Sequence, residues 1–342
     1  MNSEIDLIRE AFHYHSRFAG STLVFKIDFP VTSEPAFPSL MKDLTLLAQT
    51  GFRVVIVPGA KEWIDLVLAE YGIVSSYASV GEQGRVRITG AKALPFVEMA
   101  AFHVAARFMT ALSANRCDSV IGSLVRARGL GVLDSLDMEH TGRVEKILVK
   151  PIGKILDSGM AVILPCMGWS ASGKPYNVPS DEIALAAAAA LGAVKLFIVS
   201  AGNNLKNLKL PAELPAEDGN PAGRIMRLTP KEAEAILELN KDAAETAAKG
   251  MAELRLALAA SRAGVERAHI INGREEGAVL RELFSNLGSG TMLYADEYEA
   301  IRPLKTQDIP DVLRIMEPLM SEGILVRRTE EDIQERKEDY WV

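Results

Sequence analysis

The stretch VVIVPGAKEW, Val54 to Trp63, decides how the chain is read. Four consecutive β-branched apolar residues predict a strand buried on both faces, and WIDLVLAEYG behind them predicts a helix. Strand, Gly-containing turn and helix start is the arrangement that cradles phosphate, because free backbone N–H groups at a helix N-terminus attract anions. Here the turn reads Pro58, Gly59, Ala60, Lys61. Proline has no N–H to offer, and a single glycine remains to let a phosphate approach the backbone. The stretch predicts the frame of a phosphate cradle without its chemistry.

Outward from it, TLVFKIDF, a helix around SLMKDLTLLAQTG, the strand RVVIV and a helix ending near Tyr71 make a βαβα pattern, hence an α/β fold with a parallel sheet. A hairpin (SYASVGEQGRVRITG), a helix from Ala93 to Ser113, strands and hairpins from Ser119 to Glu145, the helix KPIGKILDSG and the strand MAVILP follow. The loop SASGKPYNVPSDE then leads into an alanine-rich helix and the strand KLFIVS. Residues 202–224, rich in Asn, Pro, Gly and Lys, read as a surface excursion. Thr229 with Glu232 three places on forms a capping box for TPKEAEAILEL. A long helix ending near Gly264, the strand RAHIIN, the helix EGAVLRELF and the strand GSGTMLYA complete this part. Residues 4–18 form an amphipathic helix outside the rhythm. Composition changes at DEYEAIRPLKTQDIPDV, where IRPL reads as a new strand and DIPDVLRIMEPLMSEG as a new helix capped by Asp308.

The 342 residues carry a formal charge of −7, with 48% hydrophobic and 24% charged residues. That balance is ordinary for a globular protein and argues against nucleic-acid or anionic-membrane partners, which select a basic face. Cys117 and Cys166 stand far apart without metal-ligand spacing, which fits a reducing, cytoplasmic compartment. No apolar run of a signal peptide opens the chain. The apolar segment EIALAAAAALGAVKLFIVSAG is broken by Gly192 and carries Lys195, so it reads as helix plus strand rather than a membrane span. No metal site is expected: His13 and His15 are two apart on a helix and do not face one another, and His103 and His140 are isolated.

Taken in order, GFRVVIVPGAKEWID, RVRITGAKAL, HTGRVEKI, YNVPSDEIALAAAAALGA, HIINGREEGAVLRELFSNLGSGT, IRPLKTQDI and GILVRRT resemble the amino acid kinase fold, and within it the bacterial two-domain N-acetylglutamate synthases. The resemblance covers nearly the whole chain. It implies a three-layer, carbamate kinase-like α/β domain with a central, mostly parallel sheet over residues 21–297. It also implies an N-terminal interlacing helix over 1–20 and the first part of a GNAT acetyltransferase fold over 298–342. In that family a kinase-like domain regulates acetyl transfer from acetyl-CoA to L-glutamate, the first step of arginine synthesis.

The active kinases of the fold place two glycines after the lysine of the first strand; here that strand reads Phe25, Lys26, Ile27, Asp28, Phe29, so Lys26 matches the lysine, the glycines are absent, and the second phosphate loop is reduced to Gly59. The aspartate that orders the catalytic lysines falls near Ala201, and the second lysine falls on Glu253 when counted without gaps. A carboxylate in place of an ammonium repels ATP phosphates, so the kinase site is expected to be vestigial. Arg87, Asn177 and Asp181 match the acetylglutamate-binding residues. Each also has a structural reading: Asn177 as a turn former in a loop, Asp181 at a helix start.

The resemblance further implies an arginine effector site at the C-terminal edge of the sheet, beside the N-terminal helix. It would be built from Tyr14, His269, Glu282 and the turn Gly288, Ser289, Gly290, Thr291. A carboxylate with glycine-turn carbonyls suits a guanidinium or α-ammonium group. Singly, each residue reads as well as an interfacial aromatic, a strand histidine or a solvated helix residue. Arg328 matches the residue that holds the glutamate substrate.

The reading is therefore an arginine-sensing, kinase-inactive domain of an N-acetylglutamate synthase. It is expected to have no catalytic residues or cofactor of its own and to form a dimer or hexamer through its N-terminal helix. Acetyl-CoA is the co-substrate of the parent enzyme, whose acetyl-CoA-binding core is expected to lie outside this chain. The competing readings are a divergent acetylglutamate kinase and a catalytically dead oligomeric scaffold.

Overall fold

The computed structural model describes residues 18–80, 84–211, 214, 225–242, 245–284, 288–294, 304–321, 323–337 and 340. The chain divides into two units, Met1–Ala295 and Asp296–Val342. The helix expected over residues 4–18, with Tyr14, His13 and His15, lies outside the described residues apart from Phe18, which packs on the core.

In the first unit, β1 (Thr22–Asp28), β2 (Arg53–Gly59), β5 (Ser119–Ile121), β10 (Ala161–Ile163), β13 (Lys195–Ser200), β14 (Arg227–Leu228), β15 (Arg267–Asn272) and β16 (Thr291–Tyr294) make one sheet. Its order is β14-β16-β15-β13-β1-β2-β10-β5, parallel except where β16 meets β15 antiparallel. Every residue of β1 and β13 is buried, as the middle of a parallel sheet requires, Lys26, Asp28 and Lys195 included. Pro58 lies within β2, past the last pairing of that strand with β10, where its missing N–H takes nothing from that ladder.

A smaller sheet, β12-β11-β6-β9, is formed by β6 (Val125–Gly129), β9 (Gly142–Ile147), β11 (Met167–Trp169) and β12 (Pro175–Asn177). Two further antiparallel pairs are β3 (Ser76–Ser79) with β4 (Arg85–Ile88) and β7 (Val132–Leu133) with β8 (Leu136–Asp137). The helices are α1 (Phe37–Gln49), α2 (Lys61–Glu70), α3 (Leu94–Ala114), α4 (Val149–Asp157), α5 (Ser180–Ala190), α6 (Pro230–Leu239), α7 (Glu245–Arg262) and α8 (Ala278–Phe284). The capping box expected at α6 is present, Thr229 Oγ1 accepting from Glu232 N.

Two apolar layers sandwich the large sheet. Strand alternation sends Leu23, Phe25 and Ile27 of β1 into a layer shared with α1, α3 and α8. Val24 goes into the opposite layer, shared with α4, α5 and α7. By the same alternation Lys26 and Asp28 face the α5–α7 side. This parity separates the two candidate sites.

Several local expectations are corrected. Asn177 ends β12 opposite Met167 rather than lying in a loop, because Pro175, Tyr176 and Asn177 pair with the strand before them. The excursion after β13 buries Leu205 and Leu208 in a 3-10 turn; residues 212–213 and 215–224 are outside the described set. In the second unit, Ile301 to Pro303 of the expected strand are likewise outside it, and Leu304 belongs to no strand. Asp308 stands directly before the helix α9 (Ile309–Ser321). It ends a 3-10 turn and accepts from Lys305 N at 2.9 Å, because the turn inserts before the helix. With α10 (Glu330–Glu335), α9 encloses a small core of Leu304, Ile309 and Ile333.

Candidate functional site

On the Phe25 face, β15 and α8 bring His269 and Glu282 together. His269 follows Phe197 across the parallel pair and stacks on it, ring centroids 4.9 Å apart, and Phe197 stacks in turn on Phe25 at 4.7 Å. His269 Nδ1 lies 2.7 Å from Glu282 Oε1, and both residues are buried. The second oxygen, Oε2, accepts from Ser289 N at 2.6 Å and Gly290 N at 2.8 Å. Gly288 makes this possible: it adopts φ 60°, and a Cβ there would stand 2.7 Å from Oε2. Ser289 Oγ donates to Ala278 O at 2.6 Å, and Thr291 Oγ1 to Ile225 O.

The sequence reading missed Lys195. Its ammonium lies 3.3 Å from His269 Nε2 and is buried, since β1 and β15 flank the start of β13. Burial and the Arg267 guanidinium lower its pKa to about 7, against the pull of Glu282. Burial together with Lys195 lowers His269 to about 4. Burial works against the Glu282 charge, but His269 and the Ser289 and Gly290 N–H groups overcome it and hold the carboxyl at about 2. With Glu282 ionised, Nδ1 of a neutral His269 is the donor and Nε2 accepts from Lys195. The cluster lies on the face of the sheet under α8, because His269 shares the side-chain parity of Phe197, and its Ser289–Gly290 turn leads into Thr291 opposite Ile270 in the C-terminal half of β15.

On the opposite face lie the residues matched to the kinase site. Lys26 Nζ is 2.6 Å from Asp28 Oδ1 and 2.9 Å from Asp181 Oδ1. Burial opposes its charge, but the two carboxylates raise its pKa above the ordinary lysine value. Asp181 thus does more than start α5, whose N-cap is Pro179 and makes no side-chain cap. Glu253 of α7 does not reach Lys26 directly; it accepts from Asn204 Nδ2 at 2.5 Å, and its Oε2 is buried without a partner. Burial raises it to about 7, opposed by hydrogen bonds from Ser200 and Asn204. The cation that α7 does supply is Lys249, one turn earlier, with Nζ 3.2 Å from Asp28 Oδ2 and 3.9 Å from Glu62 Oε1. Counting without gaps found Glu253; the neighbouring turn of the same helix holds the ammonium.

Arg87 and Asn177 are engaged inside the fold. The Arg87 guanidinium is buried against Asp65 Oδ1 at 2.6 Å, Ser75 Oγ at 2.6 Å and Lys61 O at 3.0 Å, over the Tyr77 ring. Asn177 Nδ2 donates to Thr89 Oγ1 at 2.9 Å. Arg328 is half-buried, its N–H on Met320 Sδ at 3.4 Å. His103 stacks on Trp63. Among the described residues no three His, Cys, Asp or Glu side chains stand together as metal ligands, and no helix is long and apolar enough to cross a membrane.

The profile of the amino acid kinase family matches residues 30–272. The amino-acid acetyltransferase of Photobacterium profundum is 31% identical over 98% of this chain and 74% of its own length. That of Escherichia coli is 32% identical over 96% and 73%. Among solved structures, the N-acetylglutamate synthase of Neisseria gonorrhoeae complexed with coenzyme A and L-arginine superposes with a TM-score of 0.80 at 28% identity, over 98% of this chain and 75% of that one. The same enzyme with coenzyme A and N-acetyl-glutamate gives 0.72 at 30% identity, over 98% and 74%. Giardia lamblia carbamate kinase bound to AMP-PNP, at 16% identity and 0.53 over 81% and 99%, shares the fold alone.

Proposed function

The chain belongs to the amino acid kinase family and is homologous to the amino-acid acetyltransferases, and from that premise we propose that residues 21–297 are an arginine-sensing, kinase-inactive regulatory domain of an N-acetylglutamate synthase. The observation that carries the reading is the buried pairing of Glu282 with Lys195 through His269. Free arginine is a zwitterion with a second cation. A site for it needs a carboxylate for the guanidinium or α-ammonium group and a cation for the α-carboxylate. Glu282 and Lys195 supply both signs on one side of the sheet, and the Gly288–Thr291 turn adds backbone groups. The L-arginine complex of the gonococcal synthase supports the assignment.

Tyr14 and the N-terminal helix are proposed to complete this site and to join copies of the chain into a dimer or hexamer in the cytoplasm. Acetyl-CoA is proposed as co-substrate of acetyl transfer to L-glutamate, with Arg328 as a contact for the glutamate; the coenzyme A complexes of the gonococcal enzyme support this. Kinase inactivity is supported by Lys26 lying between two carboxylates, where a phosphoryl group would meet like charge.

The test is thermal unfolding with increasing L-arginine. A site that binds only the folded chain raises the melting temperature with the logarithm of ligand concentration. Unchanged melting at millimolar arginine ends the reading. A divergent acetylglutamate kinase is the second reading, favoured by the two ammonium groups of Lys26 and Lys249 that meet at Asp28. It requires ADP formation from ATP and N-acetylglutamate, which the first reading excludes.

A further inference from the structure

Lys26 and Lys249 reach one point from opposite sides, β1 and α7, and the group between them is the chain's own. Asp28 gives Oδ1 to Lys26 at 2.6 Å and Oδ2 to Lys249 at 3.2 Å, so each oxygen is claimed by a different ammonium. Gly59 pairs with Asp28 in the β1–β2 register, and a Cβ at Gly59 would lie 3.0 Å from Oδ1; the missing side chain gives the carboxylate its room. The floor is buried, with the side chains of Lys26 and Asp28 8% and 10% exposed. The rim opens to solvent through Asp181 and Lys249, 44% and 38% exposed.

Two ammonium groups converging over a glycine on a buried floor make a receptor for a tetrahedral or planar oxyanion. A buried carboxylate is costly unless its partners compensate. Here they more than compensate: burial would raise the pKa of Asp28, but Lys26 and Lys249 pull it below the ordinary aspartate value. A second buried group senses the Asp28 charge. Glu253 is 3% exposed and its Oε2 has no partner, and the charge of Asp28 disfavours its ionisation. An entering phosphate would add charge beside both.

We propose that Asp28 is an intramolecular ligand, its carboxylate filling an oxyanion subsite made by Lys26, Lys249 and Gly59 and closing it to phosphate and pyrophosphate. Tethered to β1, the carboxylate competes at an effective concentration that a dissolved anion does not reach. The proposal rests on the kinase-inactive reading above and supplies its cause.

The experiment compares the full chain with the variants Asp28→Gly, Asp28→Asn and Asp28→Gly/Lys249→Ala, using sodium pyrophosphate as probe and sodium chloride at equal ionic strength as control. Calorimetric titration of Asp28→Gly is expected to show pyrophosphate binding at least tenfold tighter than the unaltered chain, and the added Lys249→Ala change to remove the gain. Asp28→Asn keeps the side chain's shape without its charge; it is expected to gain affinity too and serves if the glycine variant does not fold. A folded Asp28→Gly or Asp28→Asn chain that binds pyrophosphate no better than the unaltered one overturns the proposal. ADP formation by the unaltered chain overturns the kinase-inactive reading instead, in a separate assay.

Discussion

His269 Nδ1 and Glu282 Oε1 stand 2.7 Å apart, both residues buried, and the remaining Glu282 oxygen is bound by the N–H groups of Ser289 and Gly290. The pair is a stability element whether or not arginine is present, and its protonation gives it a pH signature. Folded His269 resists protonation down to about 4, whereas an unfolded histidine takes up its proton near 6.5. The unfolded chain therefore binds more protons between those limits, and stability falls as pH drops through that window. Glu282, held at about 2, adds a further loss below the unfolded glutamate value near 4.3. The step in urea midpoint from pH 7.5 to 5.5 and 4.5 is expected to be more negative in the unaltered chain than in His269→Gln, the oppositely signed contribution of Glu253 being common to both. An equal step in the variant would show that other groups set it.

Gly288 is expected to tolerate no side chain. At φ 60° a Cβ is strained, and it would also stand 2.7 Å from Glu282 Oε2 and pull the carboxylate off the Ser289 and Gly290 N–H groups. Gly288→Ala should cost about 2 kcal/mol, from backbone strain of about 1–2 kcal/mol plus weakened hydrogen bonds. It should weaken arginine binding in the same preparation. Stability lost with arginine affinity intact would separate the turn from the effector site.

The large-scale fold was legible because apolar runs such as VVIVP and KLFIVS have few other uses, and because Thr229 with Glu232 marks a helix start by its own chemistry. The sites were legible in part. A lysine opening KLFIVS reads as a strand-end charge, and only the neighbouring β1 and β15 bury Lys195 against His269. The missing glycines after Lys26 were visible, but not that Asp28 would occupy the gap they left. The alignment to Glu253 was one helical turn from Lys249, an offset that spacing cannot resolve when positions four apart share a helix face. Nor does the sequence state that the two clusters lie on opposite sides of one sheet; that follows from the alternation of β1, Phe25 to one layer and Lys26 to the other.

Arg87 is expected to act as a strut rather than a ligand-binding group. Its guanidinium joins β4 to α2 through Asp65 and to the chain before β3 through Ser75, contacts that use its planar fork. Lysine cannot reproduce that fork. Arg87→Lys keeps the charge but not the combined reach to Asp65, Ser75 and Lys61 O, and should lower stability by about 1–2 kcal/mol. Chemical denaturation reads this directly. An unchanged midpoint would free Arg87 for a ligand role.

Removal of residues 1–17 is expected to reduce the mass in solution to a dimer or monomer while the remaining chain stays folded, since Phe18 and the sheet behind it keep their packing. Light scattering reads the mass and circular dichroism the fold. Tyr14→Ala in the intact chain should keep the assembly and weaken arginine binding, which distinguishes sensing from assembly. A truncated chain that assembles as before would remove the N-terminal helix from the interface.

Glu253 gives the opposite pH sign to His269. Folded, it holds its proton up to about 7, because it is buried with Oε2 unpartnered beside the charge of Asp28. Unfolded, it ionises near 4.3. Between those values the folded state binds the extra proton, so the neutral carboxyl is tolerated below 4.3 and stability is lost as pH rises toward 7. Glu253→Gln keeps the shape and the hydrogen-bonding capacity toward Asn204 without the charge. It should therefore be close to neutral at pH 5 and stabilising at pH 8 by about 2 kcal/mol, an upper range set by the cost of an uncompensated buried carboxylate. Because the Asp28 carboxylate contributes to that cost, Asp28→Asn in the same chain should shrink the gain at pH 8. Unfolding curves at the two pH values for the single and double variants form a thermodynamic cycle. Additive effects at pH 8 would mean that Glu253 and Asp28 do not sense one another, and the electrostatic account of the closed cleft would fail with them.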